Sequence, residues 1–327
     1  MNRLAPISLF VFNRPQHTLQ TLEALSKNHL ADQSLLYIFA DGPKANASNY
    51  ELEQIAATRN IIRKENWCKE VQIIESPKNK GLANSIIEGV SQVIDKHGKV
   101  IVLEDDIRPS KGFLQYMNNA LDTYEHEDKV GQISAYNYPL DIQSSQDTYF
   151  LNILSCWGWA TWKRAWQYYN HNIQDHLNTF ADKRSIQKFN IEGHADFYNQ
   201  LLMNRDGKIY SWAVRWYASL LTKGMFTLFP KQSLVVNTGH DGTGVHSGSS
   251  NIFGDKAIDF IHVEKQPLVE NVTARKQVDK FYKTTFRKWI KSITPKQTFI
   301  KRIRRGHLYK ALAKLYKEVK KARYKYS

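Results

Sequence analysis

The chain has 327 residues, 42% of them hydrophobic and 12% aromatic, enough apolar side chain for one large or two closely joined domains with a sizeable core. That composition excludes a mini-protein and wholesale disorder, and no apolar run approaches the roughly 20 residues a bilayer-spanning helix needs. The net charge of +15 is unevenly divided: residues 271–327 hold 19 Lys/Arg against 2 acids and residues 1–270 hold 27 against 29, so a nearly neutral body carries a basic tail.

In chain order, Ile7-Ser8-Leu9-Phe10-Val11-Phe12 reads as a strand ended by Asn13-Arg14-Pro15, and Thr18, Leu19, Thr21, Leu22 and Leu25 follow at helical spacing. Residues 1–12 lack a long apolar segment and a small-residue cleavage site, so they are read as this first strand and the protein is expected in the cytoplasm. A second strand, Leu35–Ala40, stops at Asp41-Gly42-Pro43, and a third, Val71–Ile74, leads through Pro77 to Asn79-Lys80-Gly81-Leu82. From Leu82 the positions Ile86, Ile87, Val90, Val93 and Ile94 mark an amphipathic helix that His97-Gly98 ends before the strand Val100–Leu103. This βαβαβαβ alternation of near-continuous apolar strands predicts an α/β fold, a mostly parallel sheet flanked by helices with ligands at the carboxyl ends of its strands. A helix around Phe113–Leu121 and a strand over 130–135 follow. Six of the eight Trp residues then fall between 157 and 216, with no Pro/Ser-rich linker to separate a second domain. Cys68 and Cys156, the only cysteines, fit neither a disulfide framework nor a metal-ligand spacing and are read as reduced and structural.

Glu104-Asp105-Asp106 sets three acids directly after a buried strand. Adjacent carboxylates repel unless a cation or hydrogen-bond donors sit among them, and oxygen ligands at a strand end suit Mn²⁺ or Mg²⁺ with substrate phosphates completing the shell. A solvated acidic turn before the next helix is the bland alternative. Asp41 closes the second strand, and the Asn79–Leu82 turn opens a helix where backbone amides and Lys80 suit an anion.

The order FVFNRP, FADGP, NKGLANS, VLEDDIRP, ISAYN and SCWGWATW, over roughly residues 5–250, resembles nucleotide-sugar-dependent glycosyltransferases of the GT-A fold, bacterial family 2 enzymes and the N-acetylglucosaminyltransferase I group above all. The resemblance implies a GT-A body over 1–270, with a nucleotide-sugar half (1–135) and an acceptor half (136–270), followed by the tail at 271–327. It implies that Asp106 binds Mn²⁺ bridging the donor diphosphate, that Asp105 and Glu104 face the nucleotide or the metal's waters, and that Asp41 contacts the nucleoside. Arg14, Asn79, Lys80, Gly81 and Leu82 would line the same pocket. A late His is a frequent third metal ligand in such enzymes; here it would be His246, with His240 second, in the glycine-rich stretch after Val235-Val236-Asn237. Trp157, Trp159 and Trp212 would contact the acceptor, since aromatic faces stack on sugar rings, although large aromatics also dominate cores. The chain departs from the resembling enzymes where a catalytic Asp is expected: Ala213, Val214 and Arg215 stand between Trp212 and Trp216. Asp241 and Asp196 are the substitute candidates for the base, and a retaining reaction, which needs none, stays open beside the inverting one.

In the tail, Leu308, Leu312, Leu315 and Val319 share one helical stripe among lysines, which suits the anionic inner face of the cytoplasmic membrane and an acceptor that is a glycan or lipid-linked glycan of cell-surface polysaccharide synthesis. A helix packed on the body comes second and nucleic acid third. Two rivals remain for the whole chain: a nucleotidyltransferase using the same acids, and a non-catalytic glycan- or membrane-binding protein.

Overall fold

The structure is a computed structural model that describes residues 3–140, 142, 146–239, 254 and 256–293. The chain divides into two compact units, Met1–Val278 and Asp279–Ser327. The first half alternates as expected: β1 (Ile7–Val11), α1 (Pro15–Ser26), β2 (Leu35–Ala40), α2 (Asn49–Ile62), β3 (Glu70–Glu75), α3 (Leu82–His97) and β4 (Lys99–Glu104). There follow β5 (Ile107–Pro109), α4 (Phe113–Thr123), β6 (Val130–Ser134), β7 (Thr148–Leu151) and β8 (Trp159–Trp162). Short helices α5 (Lys163–Trp166), α6 (Ile173–Thr179), α7 (Lys183–Phe189) and α8 (Phe197–Arg205) lead to α9 (Trp212–Thr222), β9 (Phe226–Pro230), β10 (Val235–Asn237) and α10 (Val272–Ile293).

Eight strands form one sheet in the order β3-β2-β1-β4-β8-β6-β9-β7. The β3-β2-β1-β4 part is parallel throughout. The second half is mixed, because β8 runs antiparallel to both β4 and β6, and β7 antiparallel to β9. The sheet is therefore less parallel than the βα repeat alone predicts: four short, unperiodic residues, Trp159–Trp162, are threaded into its centre.

Chain order fixes where a ligand can sit. The chain steps from β1 out to β3 and then returns to place β4 on the other side of β1, so the direction of winding reverses between β1 and β4. Right-handed crossovers then set α3 on the face opposite α1 and α2, opening a crevice at the carboxyl ends of β1 and β4. On the α3 face, Phe10, Phe39, Val100 and Val102 pack with Ile86 and Val90 of α3 and with Trp159, Trp166, Trp212 and Trp216. A second, two-stranded ribbon pairs β10 antiparallel with β5, Asn237 opposite Ile107. Among the described residues no helix is long and apolar enough to cross a membrane.

Candidate functional site

Arg14 lies just beyond β1 and the three acids end β4, on the two sides of the winding reversal. Pro15 starts α1 and Arg14 occupies its N-cap, its carbonyl accepting from the Thr18 amide and hydroxyl at 3.0 Å each. The Arg14 side chain crosses the crevice, and its Nη1 donates to Asp106 Oδ2 at 2.7 Å and to Asp105 Oδ1 at 3.4 Å. Helix α1 also holds the acid turn, since Thr21 Oγ1 donates to the Asp105 carbonyl at 2.8 Å.

The acids carry the electrostatic strain their spacing implies. Burial, then Asp106 and Asp105, pushes the Glu104 carboxyl well above the usual range, and burial with Asp106 raises Asp105 to about 7, against the pull of Arg14 and a hydrogen bond from the Phe12 amide. One guanidinium does not neutralise three clustered carboxylates. Cys156, just upstream of β8, lies near enough to Glu104 and Asp106 that their charges add to burial in raising its thiol pKa.

The β5–β10 ribbon closes the far side. Thr238 donates to the Asp106 carbonyl from its amide at 2.8 Å and its hydroxyl at 3.1 Å. Gly239 lies so close that a Cβ there would collide with the Asp106 carboxylate. His240, Asp241 and His246 follow in sequence but lie outside the described residues, so neither the late metal ligand nor the first candidate base has a place in this geometry. Asp196 is an exposed residue at the N-cap of α8, whose Phe197 packs on Tyr217 in the middle of α9; no hydrogen bond or ion pair among the described residues ties it to the acids.

Asp41 is 7% exposed, and its two oxygens take four donors. Oδ1 accepts from the Gly42 and Lys80 amides at 2.8 Å each; Oδ2 accepts from the Gly81 amide and Asn79 Nδ2 at 3.0 Å each. A carboxylate has about four acceptor positions, so Asp41 is saturated by the turn that opens α3. Its geometry is that of a residue holding Asn79, Lys80 and Gly81 in place, in contrast to the direct nucleoside contact expected for it. Lys80 Nζ pairs with Glu88 at 2.7 Å, and Leu82 is exposed at the start of α3.

The tryptophans separate. Trp159 is fully buried in β8 opposite Val102, and Trp212, nearly as buried, stacks on it at 5.1 Å. Both are core residues here, which corrects their assignment to the acceptor: neither presents a ring face to a sugar. Trp157 is partly exposed beside Cys156, with its ring 4.5 Å from that of Tyr136, and it alone of the three is not buried. Thr21, Thr238 and Gly239 escaped sequence reasoning, because each acts on the acids from 84 to 133 positions away with no local pattern.

Oxygen donors that repel one another fit a hard divalent cation, which is held by one or two carboxylates with phosphate oxygens and water supplying the rest. No group of three or more His, Cys, Asp or Glu among the described residues could hold a metal unaided. Asp105 and Asp106, neighbouring carboxylates bridged by Arg14, fit the protein's share of such a site.

A family model, glycosyl transferase family 2, matches residues 8–189, from β1 through α7. Among solved structures the chain is similar to the mannosyltransferase PcManGT from Pyrobaculum calidifontis in complex with GDP-Man and Mn²⁺, at 10% identity and TM-score 0.39 over 68% of this chain and 69% of that one. It is also similar to S. aureus TarS, at 11% identity and TM-score 0.38 over 72% of this chain but 37% of that one, and 60% of its 1–349 form. No curated protein matches the chain.

Proposed function

The chain belongs to glycosyl transferase family 2, and within that family we propose a metal-dependent, inverting transfer of a sugar from a nucleotide-diphosphate donor to a hydroxyl of a glycan or glycolipid. The observation that supports this most is the Arg14–Asp105–Asp106 cluster at the winding reversal, where family membership and sheet topology both call for the donor.

In this reading Asp106 holds Mn²⁺ or Mg²⁺, and Asp105 and Glu104 serve the nucleotide or the metal's water. The metal, when bound, offsets the charge that builds on the departing diphosphate. Arg14 shields the acids from one another and orients Asp106 toward the crevice. Asp41 keeps the Lys80 and Gly81 segment, and with it the amide-rich start of α3, facing the same space. Trp157 offers a ring to the acceptor. In transfer the acceptor oxygen bonds to the anomeric carbon, the bond to the diphosphate breaks, and the hydroxyl proton passes to a carboxylate. We assign that base to Asp241, adjoining the Gly239 contact in sequence, ahead of the remote Asp196.

The basic tail is proposed to hold the enzyme at an anionic cytoplasmic membrane face, as synthesis of cell-surface polysaccharide on lipid-linked glycans would require. Its first helix, α10, carries Arg275, Lys276, Lys280 and Lys283.

Purified protein is incubated with Mn²⁺ and a panel of nucleotide sugars, and products are compared between wild type and Asp106→Ala. Release of a nucleoside diphosphate from one donor, abolished by EDTA and by the substitution, is expected. Pyrophosphate as product would convert the reading to nucleotidyl transfer, and activity unchanged in Asp106→Ala would overturn the metal assignment.

A further inference from the structure

Arg215, the fourth residue of α9, is buried to 5% exposure in the aromatic core. The guanidinium shares a hydrogen bond with the Tyr169 hydroxyl, but its Nε and Nη1 are buried without a partner, and no carboxylate lies within ion-pair distance of it among the described residues. A guanidinium taken out of water without a counter-charge is costly, and a fold retains one when something supplies the missing charge.

The guanidinium carbon lies 4.3 Å from the ring centroid of Tyr210, two residues before the helix, so the side chain points back over the first turn of α9, with Tyr169 and His176 beside it. That turn has no acid and its Ser211 N-cap makes no side-chain cap, which leaves the positive end of the helix unopposed by its own residues. Stacking on Tyr210 engages the face of the guanidinium, whereas its N–H donors lie in the plane, forked to match a carboxylate or phosphate. Tyr210 is 53% exposed, so the buried fork sits directly beneath the surface.

We propose that the first turn of α9 binds a carboxylate or phosphate carried by the acceptor saccharide, with Arg215 as its ligand. This rests on the glycosyl-transfer reading and adds the class of acceptor to it. The acceptor, and not the donor, is taken as the source of the anion because Arg215 lies beyond the family-matched residues 8–189 and has no ion pair with Asp105 or Asp106, which pair with Arg14. The connection to that crevice runs through Trp212, stacked on Trp159, which lies opposite Val102, two residues before Glu104.

The test is calorimetric titration, without donor, of wild type, Arg215→Met, Arg215→Lys and Tyr210→Ala with a glucuronate-terminated oligosaccharide, a 6-phosphorylated one and their neutral counterpart, with UDP plus Mn²⁺ as a separate arm. One of the acidic saccharides is expected to bind at least about tenfold more tightly than the neutral one. Arg215→Met should abolish that preference, Arg215→Lys should keep part of it, and UDP affinity should not change. Equal binding of acidic and neutral saccharides, or a preference that survives Arg215→Met, overturns the proposal; so does a loss confined to the UDP arm, which would assign the fork to the donor's phosphates. If Arg215→Met does not fold, the decision passes to Arg215→Lys and Tyr210→Ala, at least one of which must weaken acidic binding and leave neutral binding alone. A wild type that turns over a nucleotide sugar yet shows no acidic preference sinks this inference and leaves glycosyl transfer standing.

Discussion

Asp41→Asn separates two roles that a strand-ending acid can have. Both Asp41 oxygens accept two donors, so whichever oxygen becomes the amide NH₂ of Asn meets donors where it needs acceptors. If Oδ1 is replaced, the Gly42 and Lys80 amides both lose their acceptor. If Oδ2 is replaced, the Asn79 amide can turn round and accept only by giving up its 3.0 Å bond to the Gly42 carbonyl, so that carbonyl and the Gly81 amide are both stranded. A hydrogen bond to a charged group contributes about 1.5–3 kcal/mol and a neutral one less, so two lost bonds, with the charge removed from those that survive, cost about 3 kcal/mol. For a unit of this size that is a fall in Tm of about 6–12 °C. The measurement is thermal and denaturant unfolding of wild type and variant, with titration by the nucleotide that the donor panel identifies. If Asp41 acts through the turn, stability falls by this amount and nucleotide affinity falls with it. A stability loss under about 1 kcal/mol with nucleotide binding abolished would refute the reasoning, because the carboxylate would then be spending its acceptors on the nucleoside itself.

Gly239→Ala places a methyl group against the Asp106 carboxylate and is expected to cost about 1–3 kcal/mol as overpacking or, if Asp106 yields, to reduce turnover at least about tenfold; full stability with full activity would show that the ribbon moves freely away. Burial pushes the Cys68 thiol up to about 12 and raises Cys156 further, so neither should react with a disulfide reagent in native protein at pH 8, and both should react after unfolding; fast native modification of either would contradict its burial. His176 is buried with Nε2 3.0 Å from the Asn170 carbonyl, and burial lowers its pKa. Its contribution to stability is therefore complete above the unfolded value of about 6.5 and is lost as pH falls from there through the lower folded value. Urea unfolding from pH 7.5 to 5 should show a steeper loss for wild type than for His176→Gln, and parallel profiles would rule that linkage out.

The βα half, β1 through β4, was legible because its signals are local and redundant. Each of β1 to β4 is an apolar run ended by a polar turn, and α3 shows helical periodicity closed by Gly98, which takes the left-handed φ of +78°. The acid triplet announced itself by mutual repulsion alone. What did not show was pairing at a distance: Arg14 meets Asp106 across 92 positions, and the β10 ribbon reaches β5 across more than a hundred. Residue type was the wrong guide for the tryptophans. Trp212 and Trp216 stand four apart on one face of α9, and that spacing is the signature of a core stripe. Trp159 belongs to a four-residue strand too short for its alternation to register, and its place between β4 and β6 is set by tertiary packing.

The two halves of the crevice are thus constrained differently. On the proposed donor side the sheet order leaves little freedom: the chain reverses its winding between β1 and β4, so the polar segments just beyond those two strands come together, and here Arg14 meets Asp105 and Asp106. In the proposed reading that arrangement would serve a phosphate-borne metal whatever sugar is attached. On the acceptor side the aromatic residues that looked like ligands are spent on packing α9 against β8, and the packing is what carries Arg215 and Tyr210 to the first turn of that helix. A buried cation with open donors is a liability to a core built only for stability, since an apolar residue of similar volume would cost less. Its place in the middle of the tryptophan cluster is what the proposed anion subsite in α9 would explain, and the acidic-saccharide titrations decide whether it does.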